Sequence, residues 1–308
     1  MQKFRASVVI STINRSDLLI KCLKALISQN NVDVNSLEII VIDNGSTDDT
    51  RRVVESLREK YQNIKYIYEE KLGLSVARNA GARYASSDIV CFLDDDAIPN
   101  KNYLNKMITS FENSEISCVG GRIIAVWPNK SPPNWFSSKY NHVVGETSFG
   151  DESRFLKKGE FPFGGNIAIR KSIFEMLEGF DENLGRKGDN FISGEEVDLC
   201  YKLRKKRLKI FYNVEAKVFH IVGRKRATKK YFIESIFGKA ITEAYQKKTH
   251  KGSIIFFVFL IVKICLLMFV SIVYLFLKTS SLSEKRRFLF RCLIAWFTGY
   301  IYFLAIKN

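Results

Sequence analysis

At 308 residues the chain is long enough to bury a full core, with room for one large domain plus an appendage. Its formal net charge of +16 calls for an anionic partner, and nucleic acid, an anionic membrane surface or a phosphate-bearing substrate would each serve. The cysteines at 22, 91, 118, 200, 265 and 292 are scattered with no C-x-x-C pair, which favours buried thiols in a reducing compartment over disulfides or zinc. Met1 to Arg5 is basic, but the apolar run after it, Val8 to Ile10, is too short for a signal-peptide core.

Ala6 to Ser11 reads as a first strand, β-branched and ending in Ser-Thr-Ile-Asn-Arg. Asp17 is placed to cap the following helix, whose apolar residues Leu18, Leu19, Cys22, Leu23, Leu26 and Ile27 fall at helical spacing. Leu37 to Ile42 is a second buried strand, and it ends in the polar turn Asp43-Asn44-Gly45-Ser46-Thr47-Asp48-Asp49-Thr50 before a helix to Tyr61. Ile64 to Tyr68 is the third strand, and Gly73 to Ala85 a small-residue helix. The apolar run Ile89 to Leu93 is too short for a helix and forms the fourth strand, with Pro99 barring further strand. It delivers Asp94, Asp95 and Asp96 together at its carboxyl end. Three such groups repel one another unless a cation or hydrogen-bond donors lie nearby. Strand carboxyl ends are where open α/β sheets bind ligands. The functional reading is a divalent-metal and nucleotide site with oxygen ligands suited to Mg2+ or Mn2+, and the alternative is a solvated acidic turn.

Strand–helix alternation of this kind predicts a doubly wound parallel sheet. A dinucleotide-binding domain would also carry an acid after its second strand, but it needs G-x-G-x-x-G after the first. Ser11-Thr12-Ile13-Asn14-Arg15 stands there instead.

The middle of the chain predicts a helix over Leu104 to Phe111 and a strand over Ile116 to Val126 broken by Gly120-Gly121. The Pro-punctuated loop from Trp127 to Phe136 carries two tryptophans that stack on a sugar or lipid head group, or else pack in a core. A glycine-containing strand follows, Phe163 to Arg170, where glycine permits close backbone approach to a ligand. Ser193-Gly194-Glu195-Glu196-Val197-Asp198 opens a helix whose early acids suit the macrodipole. Lys209 to Asn213 and Ala216 to Phe219 read as further strands, ending at His220 and the basic triplet Arg224-Lys225-Arg226, which is placed to hold a diphosphate. Tyr231 to Tyr245 has an apolar stripe flanked by lysines, suited to an anionic membrane or to packing on the preceding domain. Ser253 to Leu277 is apolar and long enough to span at roughly 20 residues per crossing, although Lys263 costs about 2.5–3.5 kcal/mol. Phe288 to Ile306 is a second candidate span, carrying Arg291 near its start. The two would form a membrane hairpin, against which the basic loop residues Lys278, Lys285, Arg286 and Arg287 argue by the positive-inside rule.

Four segments in order at strand ends resemble the nucleotide-binding half of family 2 glycosyltransferases, of the GT-A fold: Val8 to Arg15, Ile40 to Asp48, Gly73 to Asn79 and Phe92 to Asp96. Phe163-Gly164-Gly165-Asn166, Gly179-Phe180-Asp181-Glu182 and Gly194-Glu195-Glu196-Val197-Asp198-Leu199 fit the same family, so the resemblance covers most of residues 6 to 222. It implies that Thr12, Asn14 and Asp43 meet the nucleotide base, with Arg78 close by and Gly165 beside the donor sugar. An Asx-turn would also account for Asp43. Asp94 corresponds to the ribose contact and Asp96 to the metal ligand of the D-x-D motif, with Asp95 sharing either role. His220 is a structural imidazole or a further ligand of Mn2+ or Mg2+. Glu196 occupies the position of the general base, where Asp is commoner, with Glu195 the second candidate and Asp198 structural.

The resulting expectation is an α/β GT-A-type doubly wound, mostly parallel sheet flanked by helices, followed by C-terminal amphipathic and membrane helices. Its segments are a catalytic domain over 1–225, a basic amphipathic helix and linker over 226–252, and a membrane hairpin over 253–308. The expected activity is metal-dependent, inverting transfer of a sugar from a nucleotide-sugar donor, UDP-linked, to a hydroxyl of a lipid-linked or glycan acceptor in surface polysaccharide or glycolipid synthesis. The protein would sit at a membrane with its catalytic domain facing the cytoplasm. A nucleotidyltransferase would want a Gly-rich, Arg- and Lys-bearing loop after the first strand, which is absent. A non-catalytic, membrane-tethered nucleotide-sugar-binding protein would keep the fold without turnover. Nucleic acid is not expected as a partner, since much of the positive charge sits beside apolar helices.

Overall fold

The computed structural model describes residues 4–188, 192–251 and 284–306. The chain divides into two compact units. The first is made of Met1–Val126, Gly145–Gly188 and Glu195–Val222, the second of Trp127–Val144, Asp189–Gly194 and Gly223–Asn308.

In the first unit the strands are β1 (Ala6–Thr12), β2 (Leu37–Asp43), β3 (Ile64–Tyr68), β4 (Ile89–Asp94), β5 (Ala97–Pro99), β6 (Ile116–Val126), β7 (Arg154–Phe155), β8 (Asn166–Arg170) and β9 (Lys209–Ile221). The helices are α1 (Ser16–Ile27), α2 (Thr50–Arg58), α3 (Leu74–Tyr84), α4 (Tyr103–Thr109), α5 (Lys171–Met176) and α6 (Glu195–Lys205). One sheet runs in the order β3-β2-β1-β4-β8-β6-β9-β5, with β7 paired to β9. Alternate residues of each strand enter opposite cores, as a period of two dictates. Val8, Ile10, Ile39, Val41, Cys91 and Leu93 pack with α1, α2 and α4, whereas Val9, Ile40, Ile42, Val90 and Phe92 pack with α3, α5 and α6. The small residues of α3 have a cause here. A Cβ on Gly81 would lie 2.2 Å from Val9 Cγ1, so this helix must sit close on β1.

The expected mostly parallel sheet is corrected to a mixed one. β3, β2, β1 and β4 are parallel, but β8 is antiparallel to both β4 and β6, and β5 and β7 are antiparallel to β9. β8 starts opposite Leu93 at the carboxyl end of β4 and so must run back toward its start. Gly120-Gly121 does not break β6. The register there jumps from Gly121 opposite Asn213 to Arg122 opposite Lys217, so the irregularity lies in β9. A Cβ on Gly121 would meet the Ala216 carbonyl at 2.3 Å, which makes glycine the residue that admits the bulge. The two strands expected over 209–219 are accordingly one. Strand also resumes after the aspartates as β5, with Pro99 its last residue. Asp17 lies in the first turn of α1 without capping it, and Ser16 N donates instead to Asp48 Oδ2 at 3.0 Å.

The second unit is built on α7 (Lys229–Lys251) and α8 (Glu284–Ile306). Ala240 and Ala244 pack with Tyr300 and Phe303, and a Cβ on Gly299 would reach the Phe237 carbonyl at 2.5 Å, so the helices approach closely. The apolar stripe of α7 therefore meets α8. Trp135 packs edge-on to Phe232 and Phe288 at 5.1 and 4.5 Å, and Trp127 to Phe136 at 4.8 Å, so both tryptophans pack against aromatic rings. Among the described residues no helix is long and apolar enough to cross a membrane. The candidate span 288–306 falls on α8, which buries Phe288, Cys292, Phe297 and Tyr300. The candidate span 253–277 lies outside the described residues.

Candidate active site

The carboxyl ends of β1, β2 and β4 lie side by side, with Thr12 opposite Asp43 and Ser11 opposite Asp94. β1 sits between β2 and β4, so the order of strands reverses there and a crevice opens for a ligand. The loop after β1 is clamped to the loop after β2. Asn14, at φ +52°, donates its N–H to Ser46 Oγ at 2.9 Å and accepts from Thr47 N at 2.7 Å through its side-chain oxygen. Asp43 accepts from Ser46 N and from Tyr66 Oη, each at 2.8 Å, so the Asx-type turn is present. Asn44, which the sequence did not single out, accepts from Gly73 N at 2.8 Å and donates to the carbonyls of Glu69 and Lys71.

The aspartate triplet is answered by donors brought from elsewhere. Asp94 accepts from Arg78 Nη2 at 2.7 Å. Asp95 accepts from Thr12 Oγ1 at 2.7 Å and from Arg15 Nη1 at 2.9 Å. The same Arg15 nitrogen reaches Asp96 Oδ2 at 2.9 Å, and His220 Nε2 lies 3.2 Å from Asp96 Oδ1. Burial pushes the Asp95 carboxyl up to about 6 against the pull of Arg15, with Asp96 adding to the rise. The solvated acidic turn is excluded, because Asp95 and Asp96 are buried.

Arg78 is buried and its other arm, Nη1, donates to Glu195 Oε1 at 2.6 Å, although the two residues are 117 positions apart. One guanidinium thus joins β4 to the start of α6. Two adjacent glycines make room for it. A Cβ on Gly164 would lie 2.5 Å from Arg78 Nη1, and one on Gly165 would lie 2.3 Å from Asp94 Oδ2. Gly165 is therefore explained by the Asp94 carboxylate before any sugar is invoked.

Glu195 is buried, and its Oε2 makes no hydrogen bond among the described residues. Glu196 is half-buried at the head of α6. Desolvation first, then the neighbouring Glu195 charge, push its carboxyl up to about 8, which suits a base working near neutrality. Asp198 pairs with Lys202 at 3.1 Å one turn on, the structural role expected of it.

Asp96 and His220 supply an oxygen and an imidazole nitrogen side by side, a donor pair that fits Mn2+ or Mg2+. Among the described residues no group of three or more His, Cys, Asp or Glu is arranged to hold an ion. All these groups belong to the first unit. Arg224-Lys225-Arg226 forms a 3₁₀ turn of the second. Arg15, Gly164, Asn44 and Tyr66 were not assigned a role from sequence. Arg15 and Asn44 lie inside the matching segments, but nothing local says what their side chains reach.

The family model described as "Glycosyl transferase family 2" matches residues 7–177. The chain is 25% identical over 222 residues to a glucosyl-dolichyl phosphate glucuronosyltransferase of Haloferax volcanii, covering 70% of this chain and 69% of that one. It is 25% identical over 316 residues to a dolichyl N-acetyl-alpha-D-glucosaminyl phosphate 3-beta-D-2,3-diacetamido-2,3-dideoxy-beta-D-glucuronosyltransferase of Methanococcus voltae, covering 94% of each. For five other curated relatives the match spans 47% to 62% of their length. A mannosyltransferase of Pyrobaculum calidifontis, solved with GDP-Man and Mn2+, shares the fold with a TM-score of 0.65 at 16% identity over 99% of this chain and 88% of that one.

Proposed function

The chain belongs to glycosyl transferase family 2, and from that premise we propose that it transfers a sugar, with inversion, from a UDP-sugar to a hydroxyl of a lipid-linked acceptor. The observation that carries this reading is the Arg78 bridge, which brings the acids of α6 to the same crevice as the aspartates of β4. Asp43 and Asp94 hold the base and ribose of the donor, on strand ends fixed by the β1–β2–β4 register. A divalent ion held by Asp96 and His220 would neutralise the charge that gathers on the departing diphosphate. Glu196 takes the proton from the acceptor hydroxyl. The acceptor oxygen then bonds to the anomeric carbon from the face opposite the diphosphate, as the bond to the diphosphate oxygen breaks. Glu195, committed to Arg78, positions rather than reacts.

The dolichyl phosphate acceptors named for the Haloferax and Methanococcus relatives support a polyprenyl-phosphate acceptor. Such an acceptor lives in a bilayer, and residues 253–277 are the candidate anchor, with the catalytic unit on the cytoplasmic side. The test is a hydrolysis panel of UDP- and GDP-sugars with Mn2+ or Mg2+, comparing wild type with Asp96→Ala. Hydrolysis of one UDP-sugar that is lost with EDTA and with the substitution is expected. Activity that survives both would remove the metal from the reaction.

A further inference from the structure

Arg15 places a positive charge on the carboxylate that would bind the metal. A single nitrogen, Nη1, lies 2.9 Å from Asp95 Oδ1 and 2.9 Å from Asp96 Oδ2. The two carboxylates are fixed parts, with side chains 5% and 3% exposed, while the Arg15 side chain is 37% exposed. Its backbone is fixed as well, since Asn14 is tied to Thr47 and Ser16 N to Asp48. The Arg15 guanidinium is the exposed member of this cluster, and Asp95, whose other oxygen accepts from Thr12, holds it independently of Asp96.

Arg15 holds Asp96 Oδ2 and His220 faces Oδ1, and a guanidinium and a divalent cation on the two oxygens of one carboxylate repel each other, so the ion weakens the hold of Arg15 on Asp96. A bare ion offers the displaced charge nothing in return. An ion arriving with a nucleoside diphosphate brings phosphate oxygens, for which a guanidinium is well matched. We propose that Arg15 is an internal cation that occupies Asp96 until a metal–nucleoside diphosphate arrives, and then transfers to the diphosphate. Arg15 is on this account a positioning residue that makes metal and diphosphate bind as a unit, each raising the affinity for the other by the same factor. The inference rests on the assignment of Asp96 as a metal ligand.

The test is a titration of the full chain with Mn2+, reading free Mn2+ by electron paramagnetic resonance, without nucleotide, with UDP and with GDP. Arg15→Gln is expected to bind Mn2+ about tenfold tighter than wild type without nucleotide, and to show a gain on adding diphosphate about tenfold smaller. Arg15→Lys keeps the charge without the fork and should fall between, and it replaces the Gln variant if melting shows that one to be unfolded. Nucleotide-free Mn2+ affinity that is unchanged or weaker in the folded variants overturns the proposal. Asp96→Ala separates the two ideas. If it binds Mn2+ as wild type does, the metal assignment fails and the role of Arg15 fails with it. If it loses Mn2+ while the Arg15 variants match wild type, only the role of Arg15 fails.

Discussion

The two halves of the sheet were built by different means. From β3 to β4 every pairing is parallel, and β1, β2 and β3 are each followed by a helix. From β8 to β5 the strands are mixed in direction and drawn from residues 97 to 221 out of order. On the function proposed, the first half would grip the donor through Asp43, Arg78 and Asp94 and supply Asp96 to the metal. The second half would add Glu196 as the base and His220 as the partner of Asp96 at the metal. Regular winding would then place a binding edge, and the irregular insertion beside it would supply the base. Changes in the second half should then reach turnover, and changes at the seam should reach both turnover and the fold.

The largest effect is expected of Glu196→Gln, which should lower kcat by about 10²–10⁴-fold and leave donor affinity near wild type. Stopped-flow or discontinuous transfer assays alongside donor titration would check it, and an equal loss of donor binding would place Glu196 in the wrong half of the division. Next is Arg78→Met at the seam. It strands the buried Glu195 carboxylate and frees Asp94, and should cost about 3–5 kcal/mol of unfolding free energy in denaturant. A loss well below 1 kcal/mol would show that the bridge does not join the halves. Gly165→Ala comes third. Its Cβ would meet Asp94 Oδ2 at 2.3 Å, so donor affinity should fall by roughly tenfold, for about 1–3 kcal/mol of strain. Gly223→Ala, with nothing within 4 Å and no positive φ, controls for adding a methyl group in open space. The smallest effect is in pH. A Glu196 carboxyl raised to about 8 keeps its proton at neutrality and gains base form as pH rises. kcat/KM for the donor should therefore climb by up to about tenfold per unit below that value and level off above it. A profile flat from pH 6 to 9 would assign the proton to another group.

The first half was legible because its information is local. Ile64 to Tyr68 was bounded as found, and β1, β2 and β4 were each found within a residue of their ends, since short apolar runs ending in polar turns determine buried parallel strands. The Asp94–Asp96 triplet could be recognised for the same reason. The second half was not. The spacing of Gly120-Gly121 signalled an interruption, but which strand carried it depended on the partner β9. The α7 stripe was visible, while its partner α8 begins 33 positions after α7 ends, so periodicity alone left its counterpart open.

By itself the sequence determined where strands end, which ends carry acids, and which family the motifs belong to, because these follow from side-chain periodicity and from residues adjacent in the chain. Only the tertiary structure decided that Arg78 faces both Asp94 and Glu195, that Gly164 and Gly165 stand clear for it, and that Arg15 pairs with both Asp95 and Asp96. A buried charge must find its counter-charge wherever packing brings one within hydrogen-bond reach, and that distance is not written in sequence separation.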